Sequence, residues 1–152
     1  SQPLYNRALA IYEKALGTDH PAVATTLNNL AALHVAQGLY TQAEALYKRS
    51  LDIRVRTLGS DHPDVANSLN NLAELYRNQG QNTLAEPLYK RSLAICEKTF
   101  GPDHPRIVPI LNNLSTLYAA QGLQGQADLL YKRSQAIRDK VPGPDRPPES
   151  RI

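Results

Sequence analysis

The 152-residue chain has no Trp, no Met, one Phe and one Cys. A lone cysteine, Cys96, excludes an intrachain disulfide and most cysteine-based metal sites, and it fits a reducing compartment. No apolar run approaches the roughly 18 residues of a membrane-spanning helix, and no signal-peptide pattern is present. The absence of Met even at the first position predicts an excised or processed piece of a longer product. A strong charge of either sign is also lacking. Lys+Arg 17 against Asp+Glu 14 leaves +3, too mild to argue for nucleic acid or a membrane surface by itself. There is no Gly-rich phosphate loop, no nucleophile–base pair in a supporting motif and no metal-ligand spacing. Neither an enzyme nor a cofactor is therefore expected.

What is present is repetition. "LGTDHP" begins at Leu16, "LGSDHP" at Leu58, "FGPDHP" at Phe100 and a decayed "PGPDRP" at Pro142, with their glycines at 17, 59, 101 and 143, each 42 residues from the last. "LYKRS" recurs at 46–50, 88–92 and 130–134 with the same period. Several motifs holding one period of this length indicate a solenoid or array. The apolar share of 41% is carried by Leu, Ala, Ile and Val, and the chain is long enough to bury a core.

Each period reads as two helices. The first is expected to start near Pro21, Pro63 and Pro105, because proline suits a helix's first turn. Asp19, Asp61 and Asp103 are the expected caps. Val23, Leu27, Leu30 and His34, then Val65, Leu69, Leu72 and Tyr76, follow helical spacing. Gly38, Gly80 and Gly122 are placed to end these helices. The second helices are expected to open on capping boxes, Thr41 with Glu44 and Thr83 with Glu86, with a weaker start at Gly125 and Asp128. Small residues keep the period at Ala31, Ala73 and Ser115, at Ala43, Ala85 and Ala127, and at Ser50, Ser92 and Ser134. They predict close helix approach. Residues 2–15 align with a second helix. The predicted layout is a truncated repeat over 1–16, repeats over 17–58, 59–100 and 101–141, and a Pro-rich disordered tail over 142–152.

This pattern resembles the tetratricopeptide repeat (TPR). Leu27, Leu30, Ala31, His34, Gly38, Tyr40, Ala43, Tyr47 and Ser50 fall in order on that family's consensus sites. The 42-residue period, the "LG-x-DHP" linkers and "LNNLA" are similar to the longer repeats of kinesin light chains and nephrocystin-like proteins. The resemblance implies an all-α, right-handed TPR superhelix (α-solenoid) of about seven helices, acting as a cytoplasmic scaffold or adaptor that binds a protein or peptide ligand.

The candidate groove follows from that architecture. In a superhelix of helix pairs the first helices line the concave side. Asn28, Asn70 and Asn112 then form one row, with Asn29, Asn71 and Asn113 beside it. A carboxamide both donates and accepts, so it can pair with a peptide backbone whatever the ligand's side chains. In this repeat class such asparagines are implied to hold the ligand backbone. The row of Asn28 leads as the ligand contact, and the alternative role is to bond adjacent repeats. Further groove positions are Thr25, Ala32, Val35 and Ala36; Asn67, Glu74, Arg77 and Asn78; and Pro109, Thr116, Ala119 and Ala120. This lining is nearly neutral, which speaks against a strongly acidic peptide.

Other features read as structural. His20, His62 and His104 each precede a proline and are expected to shape their turns; one repeat apart, they cannot share an ion. The pairs Lys48–Arg49, Lys90–Arg91 and Lys132–Arg133 read as solvated faces with interrepeat ion pairs to Glu44, Glu86 and Asp128, rather than as a phosphate ladder. Cys96 aligns with Arg54 and Arg138 and is expected to be a partly exposed thiol. A second functional expectation is a spacer that self-associates through its open solenoid ends. No membrane partner is expected, and nucleic acid ranks last.

Overall fold

The computed structural model describes residues 2–17 and 20–140. They form seven α-helices: α1 (Gln2–Leu16), α2 (Pro21–Ala36), α3 (Tyr40–Leu58), α4 (Pro63–Asn78), α5 (Asn82–Phe100), α6 (Val108–Ala120) and α7 (Gln124–Lys140), with a 3-10 turn over Pro105–Ile107. Helices pack as the pairs α2/α3, α4/α5 and α6/α7, each leaning on the next through α3–α4 and α5–α6, and α1 rests on α2. This is an α-solenoid. The predicted tail over 142–152 lies outside the described residues.

The helix starts depart from expectation in an instructive way. Pro21 and Pro63 do occupy the first turns of α2 and α4, but the caps are the histidines. Nδ1 of His20 accepts from the Ala22 N–H at 3.0 Å, Nδ1 of His62 from Asp64 at 3.0 Å and Nδ1 of His104 from Arg106 at 3.1 Å. Each imidazole sits at the cap residue, where its near nitrogen reaches an orphan amide two residues on. The aspartates sit one residue too early. Asp61 instead takes Lys98 at 2.9 Å and Asp103 takes Lys140 at 3.7 Å, while Asp19 is outside the described residues. In the third repeat the α-helix begins only at Val108. Pro109 has no N–H for the Pro105 carbonyl, so the chain takes a 3-10 step first, with Val108 donating to Pro105.

The expected capping boxes do not form. Gly38, Gly80 and Gly122 adopt φ of 76°, 76° and 80°, and Leu39, Gln81 and Leu123 donate back to the His34, Tyr76 and Tyr118 carbonyls at 2.8–2.9 Å. This tight stop leads straight into the next helix. Thr41 and Thr83 are already inside α3 and α5, whose caps, Leu39 and Gln81, make no side-chain bond. Glu44 pairs with Lys48 and accepts from the Tyr76 hydroxyl, and Glu86 pairs with Lys90.

The small residues sit in the core. Ala31, Ala43, Ala73 and Ala85 are fully buried, as are Ser50, Ser92 and Ser134. Ser50 Oγ donates to the Ala24 carbonyl at 2.8 Å and Ser92 Oγ to Ala66 at 2.9 Å, each bond tying a second helix to its first for about 1 kcal/mol. Ser134 has no such partner. Its periodic acceptor would be Val108, the residue at the junction of the 3-10 turn and α6. Ser115 Oγ bonds the Ala127 carbonyl at 2.8 Å instead. Leu27, Leu69 and Leu111, with Ile53, Ile95 and Ile137, fill the space around these close approaches. Among the described residues no helix is long and apolar enough to cross a membrane.

Candidate functional site

α2, α4 and α6 stand side by side along one face. α4 touches α6 directly, an approach that the second helices α3 and α5 do not match. The approach of α4 to α6, with the cleft that α2 and α4 share over Tyr47, puts the first helices on the inner face of the curve, backed by α3, α5 and α7.

The asparagine rows divide by environment. Asn29 is exposed, whereas Asn28 is 8% exposed with its Oδ1 buried and unpaired. Asn70, Asn71, Asn112 and Asn113 are half-buried. Asn113 Nδ2 donates to Asn70 Oδ1 at 3.3 Å, a bond from one repeat to the next. At Asn112, as at Asn28, the Oδ1 atom has no partner. Thr25, Asn67, Glu74 and Thr116 are exposed and Arg77 is half-buried. Thr25 and Thr116 hydroxyls also bond back to the Pro21 and Asn112 carbonyls, as helical threonines commonly do.

Between the first helices the floor of the groove is not uniform. In the gap between α2 and α4, Arg54 rises from α3. Its Nη1 donates to Ser68 Oγ at 2.8 Å and to the Asp64 carbonyl at 3.2 Å, and its Nη2 reaches Thr25 Oγ1 at 3.3 Å. Arg54 is 6% exposed, and this burial pulls its pKa down against the support of Asp64. One period on, Cys96 is too short to fill the same place, and a cleft of about 330 Å³ opens between α4 and α6. Asn67, Asn70 and Pro109 line its walls, with Cys96 on the floor. Arg106 lies with Cζ 4.8 Å above the Phe100 ring at its edge. Cys96 is thus 7% exposed, more buried than its alignment with Arg54 and Arg138 predicts. Burial raises its thiol pKa, and Arg106 partly offsets this.

A second cleft, about 260 Å³, lies nearer the C-terminal ends of α2 and α4. Val35 and Ala32 form one wall, Asn71, Glu74 and Asn78 the other, and Tyr47 the floor. Burial raises the Tyr47 pKa, with the Glu74 carboxylate adding to it. A third, about 420 Å³, lies between α1 and α2 and includes Tyr12, Thr25 and Asn29. Tyr47 is a core residue whose buried side chain also floors this cleft, and Arg54 is a groove residue that the sequence pattern does not point to. The signal for Arg54 is a register that does not keep one residue type: Tyr12, Arg54, Cys96 and Arg138.

Four of the six basic residues make ion pairs: the expected Glu44 and Glu86 are partners, but within a helix and not between repeats. Lys48 and Lys90 pair within their own helices with Glu44 and Glu86. The interrepeat contacts come from the arginines: Arg49 to Glu13 at 2.9 Å and Arg133 to Glu97 at 2.8 Å. Asp128 accepts from Gln124. Among the described residues no three His, Cys, Asp or Glu side chains gather as a metal site.

The sequence profile of the tetratricopeptide repeat matches residues 1–54, 23–82 and 64–140. The chain belongs to the tetratricopeptide repeat family. Solved TPR structures resemble it closely. BtubC (BKLC) from P. vanneervenii shares 28% identity at a TM-score of 0.84, over 96% of this chain and 60% of that one. The nearly identical TPR-like repeats assigned to a kinesin light chain of Podosopora anserina share 30% identity at a TM-score of 0.80, over 99% of this chain and 70% of that one. The chain thus spans about 60–70% of these TPR structures. Against curated protein sequences it has no significant match. The TPR fold is in general a protein–protein interaction scaffold rather than a catalyst.

Proposed function

We propose that this TPR unit is a cytoplasmic adaptor module that holds an extended peptide, or a partner helix, across the face of α2, α4 and α6. The observation that carries the reading is the combination of clefts and amides on that face. Two clefts floored by Tyr47 and Cys96 open between successive first helices, beside half-buried asparagines at 70, 71, 112 and 113. First helices packed roughly 8–10 Å apart would meet a strand rising about 3.3 Å per residue at every third residue. The mechanism is preorganised display: rigid helices hold the amides in place, so little ordering cost falls on binding. The unpaired Oδ1 atoms of Asn28 and Asn112 support a row that completes its hydrogen bonds with a guest. The Asn113–Asn70 bond supports a division of labour, in which part of the amide set ties repeats together.

A peptide-array screen followed by titration of the best binder tests the reading. The Asn28/Asn70/Asn112→Ala and Asn29/Asn71/Asn113→Ala triple variants rank the two rows. At least one is expected to lose tenfold or more in affinity while keeping its helical spectrum. Full affinity in both would overturn the amide-ladder mechanism. A second reading, self-association, is favoured by exposed apolar side chains on the outermost helices, Leu4, Ile11 and Leu16 on α1 and Leu129 and Tyr131 on α7. Sedimentation over a range of concentrations decides it, since a strict monomer would sink that reading.

A further inference from the structure

We propose that the cleft over Tyr47 is a subsite for a cationic side chain, a guanidinium or an ammonium group, carried by the bound partner. The inference rests on the groove reading above and gives one of its positions a chemical class.

The cleft measures about 260 Å³, room enough for one long side chain. Its walls are Val35 on α2 and Asn71, Glu74 and Asn78 on α4, with the Tyr47 ring below. Glu74 is its single charged wall group, and among the described residues this carboxylate has no ion-pair partner. A cation entering here would meet a carboxylate, two amide oxygens and a phenol, the acceptor set that suits guanidinium and ammonium donors.

The repeat supplies its own comparison. One period on, Tyr89 takes the place of Tyr47 and Arg77 takes the place of Val35. Tyr89 is fully buried, and Arg77 lies near enough to its hydroxyl to oppose the effect of burial on its ionisation. The second gap thus carries its own guanidinium near the tyrosine, while the first has a valine at the corresponding position. The open position corresponds in register to one that the chain itself furnishes with an arginine. The contrast with the Cys96 cleft sharpens the assignment. That site has Arg106 at its edge and Ile110 in its wall, and it offers a cation a like charge instead of a carboxylate.

The test uses short extended peptides of alanine flanking one central residue: arginine, its neutral isostere citrulline, or glutamate. Backbone amide shifts of the whole chain are followed by NMR during titration. The arginine peptide is expected to shift Tyr47, Asn71 and Asn78 and to bind at least fivefold tighter than the citrulline peptide, with a preference that fades at high salt. Glu74→Gln should erase that preference, so that the arginine and citrulline peptides bind this variant equally. Val35→Arg should abolish binding of the arginine peptide by placing a guanidinium where Arg77 stands in the next repeat. Equal binding of arginine and citrulline peptides, with shifts still in the groove, would overturn this subsite and leave the groove reading standing. No groove shift with any peptide would overturn both. An arginine preference that survives both substitutions would place the cation elsewhere and also overturn the proposal.

Discussion

The gap between α2 and α4 and the gap between α4 and α6 share one backbone plan and differ in what fills them. Near the helix N-termini the first gap is bridged by Arg54, and the second is open above Cys96. Near the C-termini the first gap is open above Tyr47, and the second carries Arg77 beside a buried Tyr89. The open places therefore lie diagonally across the groove, one above Cys96 near the helix N-termini and one above Tyr47 near the C-termini. The lesson is that residues keeping the 42-residue period build the solenoid, whereas residues breaking it shape the surface a partner meets.

The comparison can be broken most forcefully at the Arg54 register. Arg54→Ala removes three hydrogen bonds and leaves the buried Ser68 hydroxyl without its partner. A loss of about 2–3 kcal/mol in unfolding free energy is expected from urea titration. Cys96→Ala in the open gap is expected to cost less than about 1 kcal/mol, because its cleft already leaves the thiol loosely packed. Cys96→Arg would not recreate the bridge, since Ile110 stands where Ser68 accepts and Arg106 stands where Asp64 stands. It should destabilise instead of stabilise. Comparable losses for Arg54→Ala and Cys96→Ala would erase the distinction between the gaps.

Alkaline titration sharpens the contrast between the tyrosines. Burial pushes the Tyr89 pKa up to about 12, with Glu74 adding and Arg77 opposing. The unfolded tyrosine ionises first, near pH 10. Stability contributed by this group is therefore present below about pH 10 and lost as the pH rises toward 12. Tyr89→Phe should flatten that part of the stability profile, as read by thermal melting at a series of pH values. The smallest effect separates regular from irregular repeats. Ser50→Ala and Ser92→Ala should each cost about 1 kcal/mol. Ser134→Ala, which removes an unpaired hydroxyl, should cost nothing measurable.

Much of this architecture was legible in the sequence because repetition amplifies weak local signals. Proline before a Leu-spaced run, and glycine after it, mark a helix only modestly once; three times in register they leave little freedom. The errors lay where local chemistry competes. An aspartate beside a histidine reads as the cap, yet position gave the role to imidazole. A Thr-x-x-Glu reads as a capping box, yet the glycine stop had already started the next helix, leaving the glutamates to lysine and tyrosine. Pro109 reads as a groove residue and does line the Cys96 cleft, but its missing N–H also displaces the start of α6. The clefts were not legible, because they arise from pairs of positions 42 residues apart that meet only when repeats stack. Cys96 looked exposed because its aligned partners are arginines. The observed burial follows from a guanidinium that runs inward at Arg54 and from a short thiol that cannot reach out.

The central claim is that a partner lies along α2, α4 and α6, not on α3, α5 and α7. Amide shift mapping with the strongest binder from the peptide array tests it most directly. Shifts are expected to concentrate at Asn29, Asn71, Glu74 and Thr116 and along the walls of the Tyr47 and Cys96 clefts. Shifts concentrated on the outer helices, or on the exposed apolar side chains of α1 and α7, would contradict it.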